Sequence, residues 1–305
     1  MPEAEGLVLE GPGLLSDGKV AIIGGAGGMG RLLAKGLKAC GLRVSIRDLD
    51  ERRGREVARR IGVDFLDGAS LKDFGIVIIA VPFEETLGEA LKALGDMGDG
   101  SLLIDISSVK TGIVEAIKER LPDRIEYISI HPLFGPAIRD LRGKKVVVIP
   151  IKAERWLAHL LSIIRKLGCE AIISTVEEHE EAMAKIQALH HFSHLCLVNC
   201  LSGLGFDPRF STESFKRTLG LLRRMDNNLG AILSIQKHNP LAAKMRMSYA
   251  RVVEELSRME VADMEEILRR DFENLRRFGG GPARVPKHPP ISACSDRGRG
   301  RIRGV

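Results

Sequence analysis

The segment Lys19-Val20-Ala21-Ile22-Ile23-Gly24-Gly25-Ala26-Gly27-Gly28-Met29-Gly30 decides the fold. A short β-rich run enters a glycine cluster, and Arg31 to Cys40 then reads as a helix. Gly25, Gly27 and Gly30 fit G-x-G-x-x-G: a tight turn, a close backbone approach to a pyrophosphate, and close helix packing. A helix opening at this point turns its first amides toward the anion, with Gly28 and Met29 inside the same turn. About twenty residues later Asp48 ends a second β-rich run, where a carboxylate can hold ribose hydroxyls. The stretch reads as a dinucleotide site, set against a structural turn whose glycines only permit positive φ. Asp48 repels a 2′-phosphate and so favours NAD, whereas Arg47, Arg52 and Arg53 are the features that would suit NADP.

Working outward, β-rich runs recur at Lys19 to Gly24, Arg43 to Arg47, Gly75 to Val81, Ser101 to Ile106, Glu126 to Ile130, Lys145 to Ile149 and Glu170 to Ser174, separated by helical patterns. Continuous apolar stretches such as Ile76-Val77-Ile78-Ile79 suit strands covered on both faces of a parallel sheet. From Val176 the β signal stops. Helical stretches follow over Val176 to Leu204, Thr212 to Lys237 and Pro240 to Arg277, the last with Pro where a helix begins. The expected layout is an α/β Rossmann-type parallel-sheet domain followed by an all-α dimerisation and substrate domain. The boundaries are a leader over 1–17, the sheet domain over 18–174, the helical domain over 175–281 and a basic, disordered tail over 282–305.

The chain has 305 residues, 44% hydrophobic and 28% charged, which excludes fibrous and wholly disordered classes and fits two domains. Its net charge of +6 sits mainly in the tail, where Arg284, Lys287, Arg297, Arg299, Arg301 and Arg303 face only Asp296. That tail has no aromatic residue on which bases could stack, so nucleic acid is not expected as a primary partner. The longest apolar run, Ile76 to Phe83, is too short to span a bilayer. The leader carries Glu3, Glu5 and Glu10 and no early basic residue, so a soluble cytoplasmic protein is expected. Cys40, Cys169, Cys196, Cys200 and Cys294 form no C-x-x-C pair and read as reduced thiols, with Cys196 and Cys200 packed in a core.

Open α/β sheets bind ligands beyond the carboxyl ends of their strands. Those ends offer Val81-Pro82 as further cofactor-binding candidates, Ser108 after the next strand and His131 after the one following. A histidine there is neutral near pH 7 and can take or share a proton from a hydroxyl being oxidised, and a serine can orient it; a backbone cap is the structural alternative for His131.

Three strings then carry a family resemblance: Asp105-Ile106-Ser107-Ser108-Val109-Lys110, His131-Pro132-Leu133-Phe134-Gly135-Pro136, and Glu178-His179-Glu180 leading into Met183-Ala184-Lys185-Ile186-Gln187-Ala188-Leu189-His190-His191-Phe192. In this order and spacing the chain resembles the prephenate/arogenate dehydrogenase family from about residue 18 to 277. The resemblance implies NAD-dependent oxidative decarboxylation of prephenate to 4-hydroxyphenylpyruvate in tyrosine biosynthesis, no metal, and a homodimer joined through the helical domains. It implies that His131 is catalytic with Ser108 in support, and that His179 and His191 line the substrate pocket. Prephenate carries two carboxylates, which suit arginine. The family's substrate-binding arginine falls on Arg223, with Arg217 and Arg224 as alternatives and a solvated basic helix face as the structural reading.

Helical periodicity alone selects differently. A rotation of about 100° per residue aligns His179, Met183, Ile186, His190 and His194, and turns His191 away. His190 and His194 form an i, i+4 pair that zinc could use, but His179-Glu180-Glu181 is not H-E-x-x-H. Other readings stay open: the same chemistry on arogenate, a 3-hydroxyacid dehydrogenase with Lys185 as its lysine, and a non-catalytic NAD-binding module.

Overall fold

The computed structural model describes residues 18–278. The leader, the basic tail and Cys294 lie outside the described residues. The strands are β1 (Lys19–Ile23), β2 (Arg43–Arg47), β3 (Asp64–Phe65), β4 (Ile76–Ile79), β5 (Leu102–Asp105), β6 (Glu126–Pro132), β7 (Lys145–Lys152) and β8 (Glu170–Ile173). They form one sheet in the order β3-β2-β1-β4-β5-β6-β7-β8. The helices α1 (Gly28–Ala39), α2 (Glu51–Ile61), α3 (Phe83–Asp96), α4 (Ile113–Lys118) and α5 (Trp156–Lys166) cover it.

All pairings are parallel except β6 with β7, which run antiparallel. The sheet is mostly parallel, as expected, and reverses at this one point. Residues 133–144 contain no helix, and without a helical crossover the chain can only double back beside the strand it has left. The two-residue β3 has too little apolar pattern to be read from sequence.

Alternation along the strands divides the core. Val20, Ile22, Ile78, Ile104, Ile128 and Ile130 share one cluster with α1, α2 and α5. Ala21, Ile23, Val77, Ile79, Leu103 and Tyr127 share another with α3 and α4. On β6, the period of two therefore places Tyr127, Ser129 and His131 on the α3–α4 face.

The helical part comprises α6 (Val176–Met183), a π-helical segment (Ala184–Leu189), α7 (His190–Leu204), a single 3-10 turn (Pro208–Phe210), α8 (Glu213–Asp226), α9 (Leu229–His238), α10 (Ala242–Ser257) and α11 (Val261–Phe278). The three helices expected from periodicity are interrupted, by the π segment, by Asn227-Asn228 and near Met259-Glu260. The entry to α6 is a capping box, with Thr175 accepting from the Glu178 amide at 3.2 Å and Glu178 accepting from the Thr175 amide at 3.2 Å. On α7, Cys196 is half-buried and Cys200 exposed, contrary to the expected core packing.

The chain divides into two compact units after Tyr249, so α6 to α9 belong to the same unit as the sheet. In the second unit, α11 carries the exposed i, i+4 pair Arg269–Glu265. No described helix is long and apolar enough to cross a membrane.

Candidate active site

The glycine turn is shaped by contacts that admit no side chain. Gly24 has φ of +83°, and a Cβ on it would stand 2.5 Å from the Ala80 carbonyl oxygen and 2.9 Å from Val81 Cγ1. A Cβ on Gly25 would overlap Ile46, one on Gly30 would overlap the Gly24 carbonyl, and one on Gly28 would lie 2.8 Å from Pro136 Cβ. The turn thus lies against the end of β4, through Val81, and against the loop after β6, through Pro136. Pro82, the next residue, is the N-cap of α3. Gly27 is the N-cap of α1, so the first-turn amides of Gly28, Met29 and Gly30 have no partner within the helix. This backbone cradle with free donors fits a dinucleotide pyrophosphate.

Asp48 stands beside the turn. Its Oδ2 accepts from the Ala26 amide at 2.9 Å, and its Oδ1 accepts from the Asp50 amide at 3.3 Å. Of the cations that could favour a 2′-phosphate, Arg47 donates to the Ala69 carbonyl at 2.7 Å, while Arg52 and Arg53 are exposed. Gly25→Ala is expected to destabilise the fold by about 1–3 kcal/mol, because the methyl must displace Ile46 from a packed core. Thermal unfolding of the variant checks this.

His131 is the penultimate residue of β6, 3% exposed, and its Nδ1 lies 2.9 Å from Nε2 of His179 on α6. Burial first, then the Lys110 ammonium and His179, hold its pKa well below the ordinary histidine value, so the ring is neutral near pH 7. Its Nε2 has no hydrogen-bond partner among the described residues. Ser108 is half-buried and does not hydrogen-bond His131; the imidazole's support comes from His179 instead. His179 is itself 2% exposed and lies against His131.

A fully buried charged network supports this pair. Lys110 Nζ lies 3.2 Å from Asp105 Oδ1, both side chains fully buried, and donates to the Ile130 carbonyl at 2.7 Å. Tyr127 donates to Asp105 Oδ2 at 2.7 Å, and Ser107 donates to Asp105 Oδ1. Burial raises the Asp105 pKa, but Lys110 together with hydrogen bonds, the Ser107 one foremost, outweighs it, and the carboxyl lies below its ordinary value. Glu180 crosses from α6: Oε1 accepts from the Lys110 amide at 2.5 Å and the Thr111 amide at 3.3 Å, and Oε2 from Asn239 Nδ2 at 2.6 Å. Asp105, Lys110 and Glu180 stood inside the quoted strings, yet nothing local shows that they meet; 70 positions separate the last two.

The π segment changes the phase of the long helix. Gln236 Nε2 donates to the Ala188 carbonyl at 2.7 Å, taking an acceptor that the wider turn leaves free. Arg246 in turn donates to Gln236 Oε1 at 3.1 Å. The expected stripe is broken: His179 and Met183 are buried, Ile186 is 63% exposed and His190 is exposed. His191 is half-buried, its Nδ1 lacks a partner, and burial pushes its pKa down to about 4. No group of three or more described His, Cys, Asp or Glu side chains is arranged to hold a metal.

A family model described as "Prephenate dehydrogenase, nucleotide-binding domain" matches residues 33–173. A "Probable arogenate/prephenate dehydrogenase" of Methanocaldococcus jannaschii is 27% identical over 271 residues, 85% of this chain and 61% of that protein. A "4-amino-4-deoxyprephenate dehydrogenase" of Streptomyces pristinaespiralis is 26% identical, over 85% of this chain and 90% of its own length. These matches support the prephenate dehydrogenase family for this chain. It spans about three fifths of the length of the Methanocaldococcus relative. The fold agrees with a solved member, the prephenate dehydrogenase of A. aeolicus in complex with hydroxyphenyl propionate and NAD+, at a TM-score of 0.71 and 19% identity, covering 85% of this chain and 96% of that one.

Arg217, Arg223 and Arg224 occupy α8, whose Leu222 and Met225 pack with Ile232, Leu195 and Leu201. All three arginines are exposed, and none is ion-paired with a described carboxylate. The structure brings His131 and His179 together with the Lys110 network, but gives no hydrogen bond linking these arginines or His191 to that pair.

Proposed function

We propose that the chain oxidises prephenate with NAD as acceptor, releasing carbon dioxide and 4-hydroxyphenylpyruvate. The observation that carries this reading is His131: a neutral, buried imidazole on the same sheet edge as the glycine turn, with Nε2 unengaged. Bound at that turn, the dinucleotide would supply the hydride acceptor. Gly25, Gly27, Gly28, Met29 and Gly30 would hold its pyrophosphate, Asp48 its ribose, and Val81 and Pro82 would flank it.

His131 Nε2 would accept, or share, the proton of the ring hydroxyl as hydride leaves the same carbon. Carbon dioxide is then lost, its bonding electrons complete the aromatic ring, and the proton returns to the phenol oxygen. Aromatisation makes the step irreversible, so positioning and exclusion of water are the protein's main tasks. Ser108 lies one strand end away and would contact substrate. Arg223, with Arg217 as alternative, would pair with a substrate carboxylate, and His191 would complete the pocket.

Four initial rates at the NADH absorbance band, for NAD or NADP with prephenate or arogenate, test this reading. NAD with prephenate is expected to be fastest, because Asp48 disfavours a 2′-phosphate and Arg47 is already engaged. No turnover with any of the four pairs sinks it; a faster rate with arogenate moves the reading to that substrate.

A homodimer is also proposed. Among described residues α7 buries none of its side chains fully, and Leu197, Val198 and Leu204 are 37%, 41% and 85% exposed. A second copy would cover this apolar surface. Light scattering is expected to give twice the chain mass, and Leu197→Glu with Val198→Glu to shift it toward one.

A further inference from the structure

Two imidazoles that share one hydrogen bond pose a question of tautomer. One proton lies between His131 Nδ1 and His179 Nε2, which are 2.9 Å apart, and it belongs to one ring or the other. If it belongs to His179, a neutral His131 carries its own proton on Nε2 and cannot accept one from substrate. If it belongs to His131, Nε2 is bare and ready to accept. The far side of His179 decides between them. Its Nδ1 is buried without a hydrogen-bond partner, and Glu180 Oε1 stands 3.5 Å away. A neutral His179 protonated on Nε2 would turn a bare Nδ1 lone pair toward that carboxylate, whereas protonation on Nδ1 turns an N–H dipole toward it.

Glu180 is well placed to impose this choice. Its side chain is 4% exposed, and its hydrogen-bond partners are all donors: the Lys110 and Thr111 amides and the Asn239 side-chain amide. Those contacts come from the loop between β5 and α4 and from the C-cap of α9, so the carboxylate cannot swing away from His179 without breaking both.

We propose that Glu180 is a positioning residue: through His179 protonated on Nδ1, it fixes His131 as the Nδ1–H tautomer and leaves Nε2 as the acceptor for a substrate hydroxyl. The chemical use of that tautomer rests on the proposed reaction at His131; the tautomer itself does not. Outer carboxylates that orient a working imidazole act in the same way at metal sites.

The test is nitrogen NMR of the full chain, labelled at histidine, without ligand, with the two rings assigned by His131→Asn and His179→Gln. Wild type is expected to show His131 and His179 each protonated on Nδ1 and bare on Nε2. Glu180→Gln is expected to redistribute the His179 proton between its two nitrogens and to mix the His131 tautomers. In the same variant kcat falls roughly 10- to 100-fold, the scale of such outer partners, with KM for NAD unchanged. Glu180→Asp is expected to restore the wild-type proton positions. A wild-type His131 protonated on Nε2, or a doubly protonated His179, overturns the proposal even if no variant folds. Unchanged proton positions in Glu180→Gln also overturn it. The expected tautomers without turnover on prephenate or arogenate would uphold the relay and remove the reaction assigned to it.

Discussion

His131→Asn is expected to lower kcat by two to four decades while leaving NAD affinity within about twofold, which corresponds to about 2.7–5.4 kcal/mol of lost transition-state stabilisation. Asparagine retains a polar group at the end of β6 but cannot take up a proton. In the proposed reaction the hydroxyl would then be oxidised without a base, whereas the glycine turn that would bind cofactor is untouched. Stopped-flow turnover and nucleotide titration by fluorescence separate the two quantities. Equal losses in both would show that the residue holds the strand end together instead.

The pH dependence has a defined sign. The pKa of His131 lies below the ordinary value because burial penalises the imidazolium and Lys110 repels it. The acid limb of kcat/KM is therefore expected below pH 6.5 and not at it. Stability follows the same linkage: between the unfolded and the lowered folded pKa the unfolded chain binds the extra proton, so this residue's contribution is lost as pH falls below about 6.5.

Lys110→Met is expected to destabilise the protein by about 3–5 kcal/mol, because it leaves the Asp105 charge buried without its cation. For a chain of this size the melting temperature should fall on the order of 10 °C. The ion pair itself need not stabilise, so the double variant Asp105→Asn with Lys110→Met is expected to recover most of the loss. Calorimetry on the two single variants and the double variant closes the cycle. A double variant as unstable as Lys110→Met alone would contradict the assignment of the loss to an orphaned charge. Activity should fall with the single substitution as well, since Lys110 also holds the Ile130 carbonyl that precedes His131.

How much of this was legible before folding depended on the range of the interaction. The glycine turn was readable because its requirements are local: Gly24, Gly25 and Gly30 meet backbone or strand neighbours that any strand-turn-helix brings close. The positions of His131 and Asp48 followed from strand ends, which apolar runs mark directly. The role expected for Ser108 as support of the imidazole was reasonable from adjacency, but the hydrogen bond goes to His179, 48 residues away. Helical phase failed at one countable step. The π segment adds residues to a turn, and what accompanies it is Gln236 reaching the Ala188 carbonyl from another helix.

The sequence by itself determined a parallel sheet opening on a glycine turn, a long helical continuation, and the chemical character of the strand ends. These follow from apolar periodicity and backbone freedom, which act within a few residues. Tertiary structure alone decided the reversal of β7, the phase between His179 and His191, and the burial of Asp105, Lys110 and Glu180 as one network. Those outcomes depend on which surfaces pack together, and only packing removes the water that would otherwise keep each charge and each imidazole independent of the others.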